Sequence, residues 1–150
     1  MASSLRSGVA SVLRKAPEDV VLVTATRLPV AKFKGSYKDT HAEELLAEVL
    51  IATREKLEQQ GLDVKGGKVE DIAVGTVLME LGGAKSGRLA SLHAGFPIET
   101  CFRTVNRQCS SSLQTITDIA ASIQTRAIDI GIAAGAESSV SFPFQMATCT

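Results

Sequence analysis

The chain has 150 residues, of which 45% are hydrophobic and 21% charged, and its 16 basic and 16 acidic side chains leave no formal net charge. This composition is typical of one globular domain with a hydrophobic core and excludes a disordered chain. The balanced charge and the 4% of aromatic residues exclude nucleic acid as the main partner, since neither a basic surface nor stacking rings are available.

The sequence predicts neither a membrane span nor a metal site. No stretch approaches the roughly eighteen consecutive apolar residues that a bilayer-spanning helix needs. The three cysteines, Cys101, Cys109 and Cys149, are an odd number without the paired spacing of zinc ligands or of a disulfide framework. We therefore expect a reducing intracellular compartment, with no disulfide scaffold and no zinc or other metal site.

The first seventeen residues differ from the rest of the chain. They read MASSLRSGVASVLRKAP, with three basic residues, four serines and no acid. Such a segment is typical either of a mitochondrial-type targeting peptide or of a solvated leader. We therefore treat residues 1–17 as a leader or targeting tail, residues 18–142 as the folded domain, and residues 143–150 as an atypical tail.

Strand and helix patterns alternate along the domain. Short β-branched or apolar runs predict strands over Asp19–Arg27, Val69–Met79, Cys101–Asn106 and Ala127–Gly135. Helical spacing predicts one helix capped by Thr40 with Glu43 and ending near Gly61, a second over Arg88–Phe96, and a third after Cys109. The alternation indicates an α/β fold with a mainly parallel sheet and helices on its faces.

The third helix is predicted from its apolar spacing and from its start. Leu113, Ile116, Ala120 and Ile123 recur at helical spacing, and we expect this apolar stripe on the buried face. A capping box between Ser111 and Gln114 would place the start of the helix within a residue or two of Cys109.

Cys109, in the sequence NRQCSSSLQTI, therefore lies where a strand ends and a helix begins. In parallel sheets, ligands bind at such junctions. The positive end of a helix favours thiolate over thiol, and its free N–H groups can hold an oxyanion. Two interpretations follow from the residues alone: a nucleophile, or a small core residue at an element boundary.

Several segments together resemble one family. VNRQCSSSLQTITDIAASIQ is similar to the nucleophile segment of thiolases, the 3-ketoacyl-CoA acyltransferases. PEDVVLVTATRLPVAKFKGSYKDT, VEDIAVGTVL, RLASLHAGFP and IDIGIAAGAES resemble further thiolase segments in the same order. The resemblance covers about residues 17–142.

The resemblance implies that Cys109 is the residue acylated by substrate, with acyl-CoA and coenzyme A as substrates and no cofactor. It also implies a three-layer α/β/α fold with a pseudo-repeated half, usually assembled as a homodimer. The most similar type is the peroxisomal β-oxidation enzyme, so we expect a peroxisomal location, with the mitochondrion as the alternative. Cys101 and Cys149 match no catalytic position.

Two departures from the family pattern bear on function. Ser112 stands where the pattern has glycine, so its hydroxymethyl group is expected to crowd the pocket or a neighbouring helix. Family members are also considerably longer, with a CoA-binding loop region, the last strand of this half, a histidine base and a second cysteine, and no motif here corresponds to them. The alternative function is therefore a non-catalytic fragment that pairs with another subunit.

Four other features are candidates for a functional role. His93 is either a partner for the Cys109 sulfur or a surface or packing residue, and His41 is expected to be solvent-exposed. ELGGAKSG, residues 80–87, fails the order of a phosphate-binding loop, so we interpret it as a flexible connection. Glu137 either takes part in the chemistry or accepts hydrogen bonds from the backbone of a loop.

Overall fold

The computed structural model of the chain describes residues 15–138, without the side chains of residues 80 and 81. Most of the predicted leader and the whole of the atypical tail, including Cys149, lie outside the described residues. None of the helices in the described range has the length and hydrophobicity needed to span a bilayer.

Three strands and three α-helices alternate along this range. In chain order they are α1 (Ala42–Gln59), β1 (Asp71–Gly75), a 3-10 turn (Glu80–Gly83), α2 (Ala84–His93), β2 (Cys101–Val105), α3 (Ser111–Gln124) and β3 (Gly131–Gly135). The second and fourth predicted strands are thus shorter than the sequence pattern suggested. Residues 80–87 form the 3-10 turn and the first residues of α2, so the prediction of a flexible connection is wrong.

The strands form a parallel sheet in the order β2-β1-β3. Asp71 of β1 is in register with Cys101 on one side and with Gly131 on the other. All five residues of β1 are buried, as the central strand of a sheet covered on both faces requires. The predicted α/β architecture with a parallel sheet is therefore confirmed.

The two faces of the sheet differ in side-chain size. Ile72 and Val74 of β1 join Leu46 and Leu50 of α1 in the main hydrophobic cluster, which also includes residues of α2. Alternate strand residues point to opposite faces, and the other face carries glycines that lie against α3: a Cβ on Gly75 would overlap the backbone of residues 111 and 112. Helices therefore cover both faces, which gives three layers.

The prediction that the apolar stripe of α3 is buried is wrong for Leu113, which is 67% exposed, and for Ile116, which is 46% exposed. Ala120 and Ile123 are half-buried. The buried residues of this helix are Ser111, Thr115 and Ile119. One reason is the small size of the sheet residues below, because Gly75 leaves room for the backbone of α3 to approach the sheet.

The predicted first strand, Asp19–Arg27, is not formed. These residues make no ladder in the structure, and Val21 and Leu22 are 71% and 86% exposed. A β-branched run needs a neighbouring edge to bond, and here a cavity of about 1350 Å³ separates the run from β3. We call this cavity the slot: it lies between residues 19–34, the open edge of β3, and the facing sides of α1 and α3.

The start of α1 differs from its prediction by one residue. His41, not Thr40, is the N-cap, and the carboxylate of Glu44, not that of Glu43, accepts the His41 backbone N–H at 2.7 Å. The predicted capping box is therefore present, but each of its two residues lies one position further along the chain.

Candidate active site

A sharp turn between β2 and α3 presents Cys109. Gln108, immediately before it, has φ of 51°, a left-handed conformation that costs energy for a residue with a side chain. Three hydrogen bonds hold the turn: Gln108 N–H donates to Asn106 Oδ1 at 3.0 Å, Arg107 N–H donates to Ser111 Oγ at 2.9 Å, and Ser111 Oγ donates to the Gln108 carbonyl at 2.6 Å. Such strained strand–turn–helix junctions are typical of exposed nucleophiles.

The helix begins where the sequence predicted, although by a different cap. The N-cap of α3 is Ser110, and the helix starts at Ser111, which lies two residues after Cys109. The Gln114 side chain bonds Arg107 and Asp118, and Ser111 bonds the turn, so the predicted capping box is absent. The start of the helix is nevertheless joined to the turn that carries the sulfur, because the Ser110 and Ser111 N–H groups donate to the Arg107 and Gln108 carbonyls at 3.1 Å.

Cys109 is exposed and lines a cavity of about 470 Å³. The wall consists of the carboxyl ends of β1 and β3, through residues 75–78 and 135–137, and of the turn with the first residues of α3. This exposure contradicts the interpretation of Cys109 as a core residue. The position, beyond the carboxyl ends of parallel strands, is where α/β proteins bind ligands.

Glu137 contacts the loop that follows β1. Its Oε2 accepts the Val77 N–H at 2.8 Å, and its Oε1 accepts the Leu78 N–H at 3.1 Å. The interpretation of Glu137 as a partner for loop backbone is therefore confirmed. The loop and the carboxylate together form one side of the cavity around Cys109.

The two histidines lie away from this cavity. His93 ends α2 and is exposed, and His41 is the exposed N-cap of α1; neither lines the cavity. No group of three or more His, Cys, Asp or Glu residues within 15–138 has the geometry to hold a metal ion. Cys101 is exposed at the start of β2, at the opposite end of the strand from Cys109.

Ser112 lies against Gly135, which is paired in the sheet with Gly75. A Cβ on Gly135 would overlap the hydroxymethyl group of Ser112. Ser112 also lines the cavity around Cys109, and the absence of a side chain on Gly135 leaves room for its hydroxymethyl group on the side of β3.

Sequence reasoning missed the loop of residues 76–78, because the predicted strand ran through it to Met79. Thr76 of this loop is 2% exposed, and its hydroxyl is buried without a hydrogen-bond partner in the described part of the chain. Its backbone N–H donates to the Val105 carbonyl at 3.1 Å. The signal that could have found the loop is Gly75, where the close approach of α3 ends the strand.

Residues 20–148 match the family model described as thiolase, N-terminal domain. Over 129 residues the chain is 44% identical to the peroxisomal 3-ketoacyl-CoA thiolase B of Candida tropicalis, an alignment that covers 85% of this chain and 30% of that protein. Identity to the peroxisomal 3-ketoacyl-CoA thiolase 2 of Arabidopsis thaliana is 46% over 129 residues, covering 84% and 27%.

Solved structures agree with these matches. The dimeric peroxisomal thiolase of Saccharomyces cerevisiae superposes with a TM-score of 0.78 at 41% identity, covering 87% of this chain and 33% of that one. A second structure of peroxisomal 3-ketoacyl-CoA thiolase from the same yeast, described as five-layered α-β-α-β-α from two core domains of identical topology, gives 0.71 at 42% identity, covering 79% and 34%. The chain thus spans about a third of the length of the proteins it matches.

We predict that iodoacetamide alkylates Cys109 faster than Cys101 at neutral pH. Both thiols are exposed, so the comparison reports reactivity, and only Cys109 adjoins a helix N-terminus, a position typical of cysteines that react with electrophiles. Competitive labelling followed by peptide mass analysis measures both rates, and the denatured chain, in which the two rates should converge, is the control. Equal or slower labelling of Cys109 in the folded chain would contradict the prediction.

We also predict that Gly135→Ala destabilises the fold and that Ser112→Gly relieves the effect. The new methyl group would overlap Ser112, and overpacking of this kind costs about 1–3 kcal/mol. Thermal or denaturant unfolding of both single variants and the double variant forms a cycle. Additive effects would show that the two residues are not in the contact described.

Proposed function

This chain belongs to the thiolase family, and we propose that it carries the nucleophile of a thiolytic acyltransferase. The substrate is a 3-ketoacyl-CoA, which reacts with a second coenzyme A to give acetyl-CoA and a shortened acyl-CoA. The observation that carries the proposal is the exposed thiol of Cys109 on a strained turn, facing a cavity at the carboxyl ends of β1 and β3.

The reaction has two halves. The Cys109 thiolate attacks the 3-keto carbonyl carbon, and the carbonyl electrons move to oxygen. Collapse of this tetrahedral oxyanion breaks the bond between the second and third carbons and leaves the acyl group on sulfur as a thioester. The electron pair of that bond departs as the enolate of acetyl-CoA, which takes a proton. In the second half, the thiolate of another coenzyme A attacks the thioester and releases Cys109.

The geometry around Cys109 supports the first half. The N–H groups of Ser110 and Ser111 donate within the turn, whereas the next amides of α3 belong to the first helical turn, which has no intrahelical acceptor. Donors of that kind stabilise a developing oxyanion. The strained φ of Gln108 holds the sulfur away from the core. A positioned nucleophile gains rate because less freedom is lost when the reacting atoms meet.

Proton transfer is the part for which the described residues place no histidine at the cavity. Neither histidine lines the cavity, and both oxygens of Glu137 accept N–H groups. The relatives are peroxisomal by name, and one yeast structure is described as dimeric. We extend both properties to this chain, with the mitochondrion as the alternative location because of the basic residues of 1–17.

We predict that residues 1–150, incubated alone with acetoacetyl-CoA and coenzyme A, become acetylated on Cys109 without continuing turnover. Each positioned acid or base contributes about 10²- to 10⁴-fold to such a reaction. Neither described histidine lies at the cavity, and the Glu137 carboxylate there is bonded to two loop amides. Intact mass detects the thioester, and loss of enolate absorbance detects turnover.

Cys109→Ala is the blank for both measurements. No adduct above this blank would contradict Cys109 as the acylated residue. Turnover above the blank would contradict the absence of a base, and His93→Ala would then be the first variant to measure.

A second candidate function, pairing with another chain, is favoured by the slot. Glu70 N–H donates to the Ile130 carbonyl and Ala136 N–H donates to the Gly75 carbonyl. The even-numbered residues of β3 and of its flanks therefore direct their backbone groups toward β1. Because successive residues point their backbone groups to opposite edges, Gly131, Ala133 and Gly135 direct theirs into the slot. No strand in residues 15–138 pairs with this edge.

The occupant of the slot in this second function is an extended strand from a second copy of the chain. An alkyl chain would leave the backbone groups of β3 without partners, whereas a strand satisfies them. Exposed Val21 and Val23 on the opposite wall supply apolar surface for the same strand. Unpaired edges of this kind are templates for association.

We predict that the chain self-associates as its concentration rises and that Val23→Lys suppresses this, because a charge on the slot wall opposes burial of a strand. Size-exclusion chromatography with light scattering measures the mass. Ile98→Lys is the matched control, since Ile98 is 75% exposed, against 63% for Val23, but lies outside the slot. Equal suppression by both variants, or a monomer at all concentrations, would contradict pairing through the slot.

A further inference from the structure

Two glutamates hold the same pair of strands at opposite ends. At the amino end, Glu70 before β1 reaches β3: its Oε2 accepts the Asp129 N–H at 2.5 Å and the Ile130 N–H at 3.3 Å. At the carboxyl end, Glu137 after β3 reaches the loop beyond β1 and accepts the N–H groups of Val77 and Leu78. Each carboxylate therefore bonds two consecutive amides across the sheet.

Of the two glutamates, only Glu137, at the carboxyl end of the strands, lies beside the cavity of Cys109. Glu137, Val77 and Leu78 all line the cavity that Cys109 lines, and Glu70 does not. The loop has a second tether, from the Thr76 N–H to the Val105 carbonyl at 3.1 Å, but Val77 and Leu78 lie beyond it. Their position relative to the sulfur thus depends on the carboxylate.

We propose that Glu137 is a positioning residue, which fixes the Val77–Leu78 backbone as the wall against which substrate lies when Cys109 is acylated. This inference rests on the proposed acyltransferase function. Hydrogen bonds to a charged acceptor are stronger than neutral ones, and two of them to adjacent amides fix the orientation of both peptide groups. In this role Glu137 acts through the loop, because both of its oxygens are engaged by the Val77 and Leu78 amides.

The first measurement is amide hydrogen exchange of the full 150-residue chain. Glu137→Ala is expected to accelerate exchange of the Val77 and Leu78 amides by about tenfold or more, as loss of bonds to a charged group predicts. Glu70→Ala is the matched control and should accelerate the Asp129 and Ile130 amides instead. Glu137→Gln keeps one acceptor oxygen and should protect one of the two loop amides.

The second measurement compares two alkylating reagents at Cys109. Iodoacetamide is small and reaches the sulfur without contacting the Val77–Leu78 backbone. S-bromoacetyl-pantetheine, under this proposal, lies along that backbone when its reactive carbon meets the sulfur. Glu137→Ala should lower the pantetheine rate about tenfold relative to the iodoacetamide rate, because small displacements of a positioned reactant cost rate steeply. Glu70→Ala should leave the ratio unchanged, and Glu137→Gln should fall between.

The outcomes separate the two proposals. Failure of acetoacetyl-CoA to acylate the unchanged chain would contradict the acyltransferase function, whereas alkylation needs no carbon–carbon cleavage and still decides the role of Glu137. An unchanged ratio in Glu137→Ala, or an equal fall in Glu137→Ala and Glu70→Ala, would overturn the inference. So would unchanged exchange of the Val77 and Leu78 amides in Glu137→Ala.

Discussion

The close approach of α3 to the glycine-lined face of the sheet is the constraint on which the rest of the site depends. Gly75 and Gly135 are paired neighbours at the carboxyl ends of β1 and β3, and the first residues of α3 lie directly against them. A side chain at either position would displace the start of the helix. Since the turn that carries Cys109 is tied to that start through Ser111, the two glycines determine where the sulfur lies.

The same constraint explains which parts of the structure the sequence predicted. The parallel α/β architecture and the start of α3 follow from patterns within short segments, and the prediction was confirmed for both. The buried face of α3 depends instead on the residues beneath it, and these come from strands far along the chain. Ser111 and Ser112 lie against Gly75 and Gly135, and Leu113 and Ile116 of the apolar stripe are exposed.

Leu113 and Ile116 of the stripe and the wall of the slot are both apolar surfaces that the described residues leave uncovered. Val21 and Leu22 have the composition of a buried strand, yet a strand requires a bonded neighbour, and β3 lies across a cavity from them. The β-branched pattern predicted a strand over residues 19–27, and the structure has no strand there.

Hydrogen bonds at the carboxyl ends of the strands shape the cavity around Cys109. Residue type and neighbouring motifs predicted Cys109 as the nucleophile, but no local pattern predicts the left-handed Gln108 or the bonds between Glu137 and the loop. Glu137 is 60 residues from Val77 in sequence, and it reaches that loop because β1 and β3 end side by side. The choice of Cys109 as a candidate therefore depends on local sequence, whereas the shape of the cavity around it depends on the order of the strands.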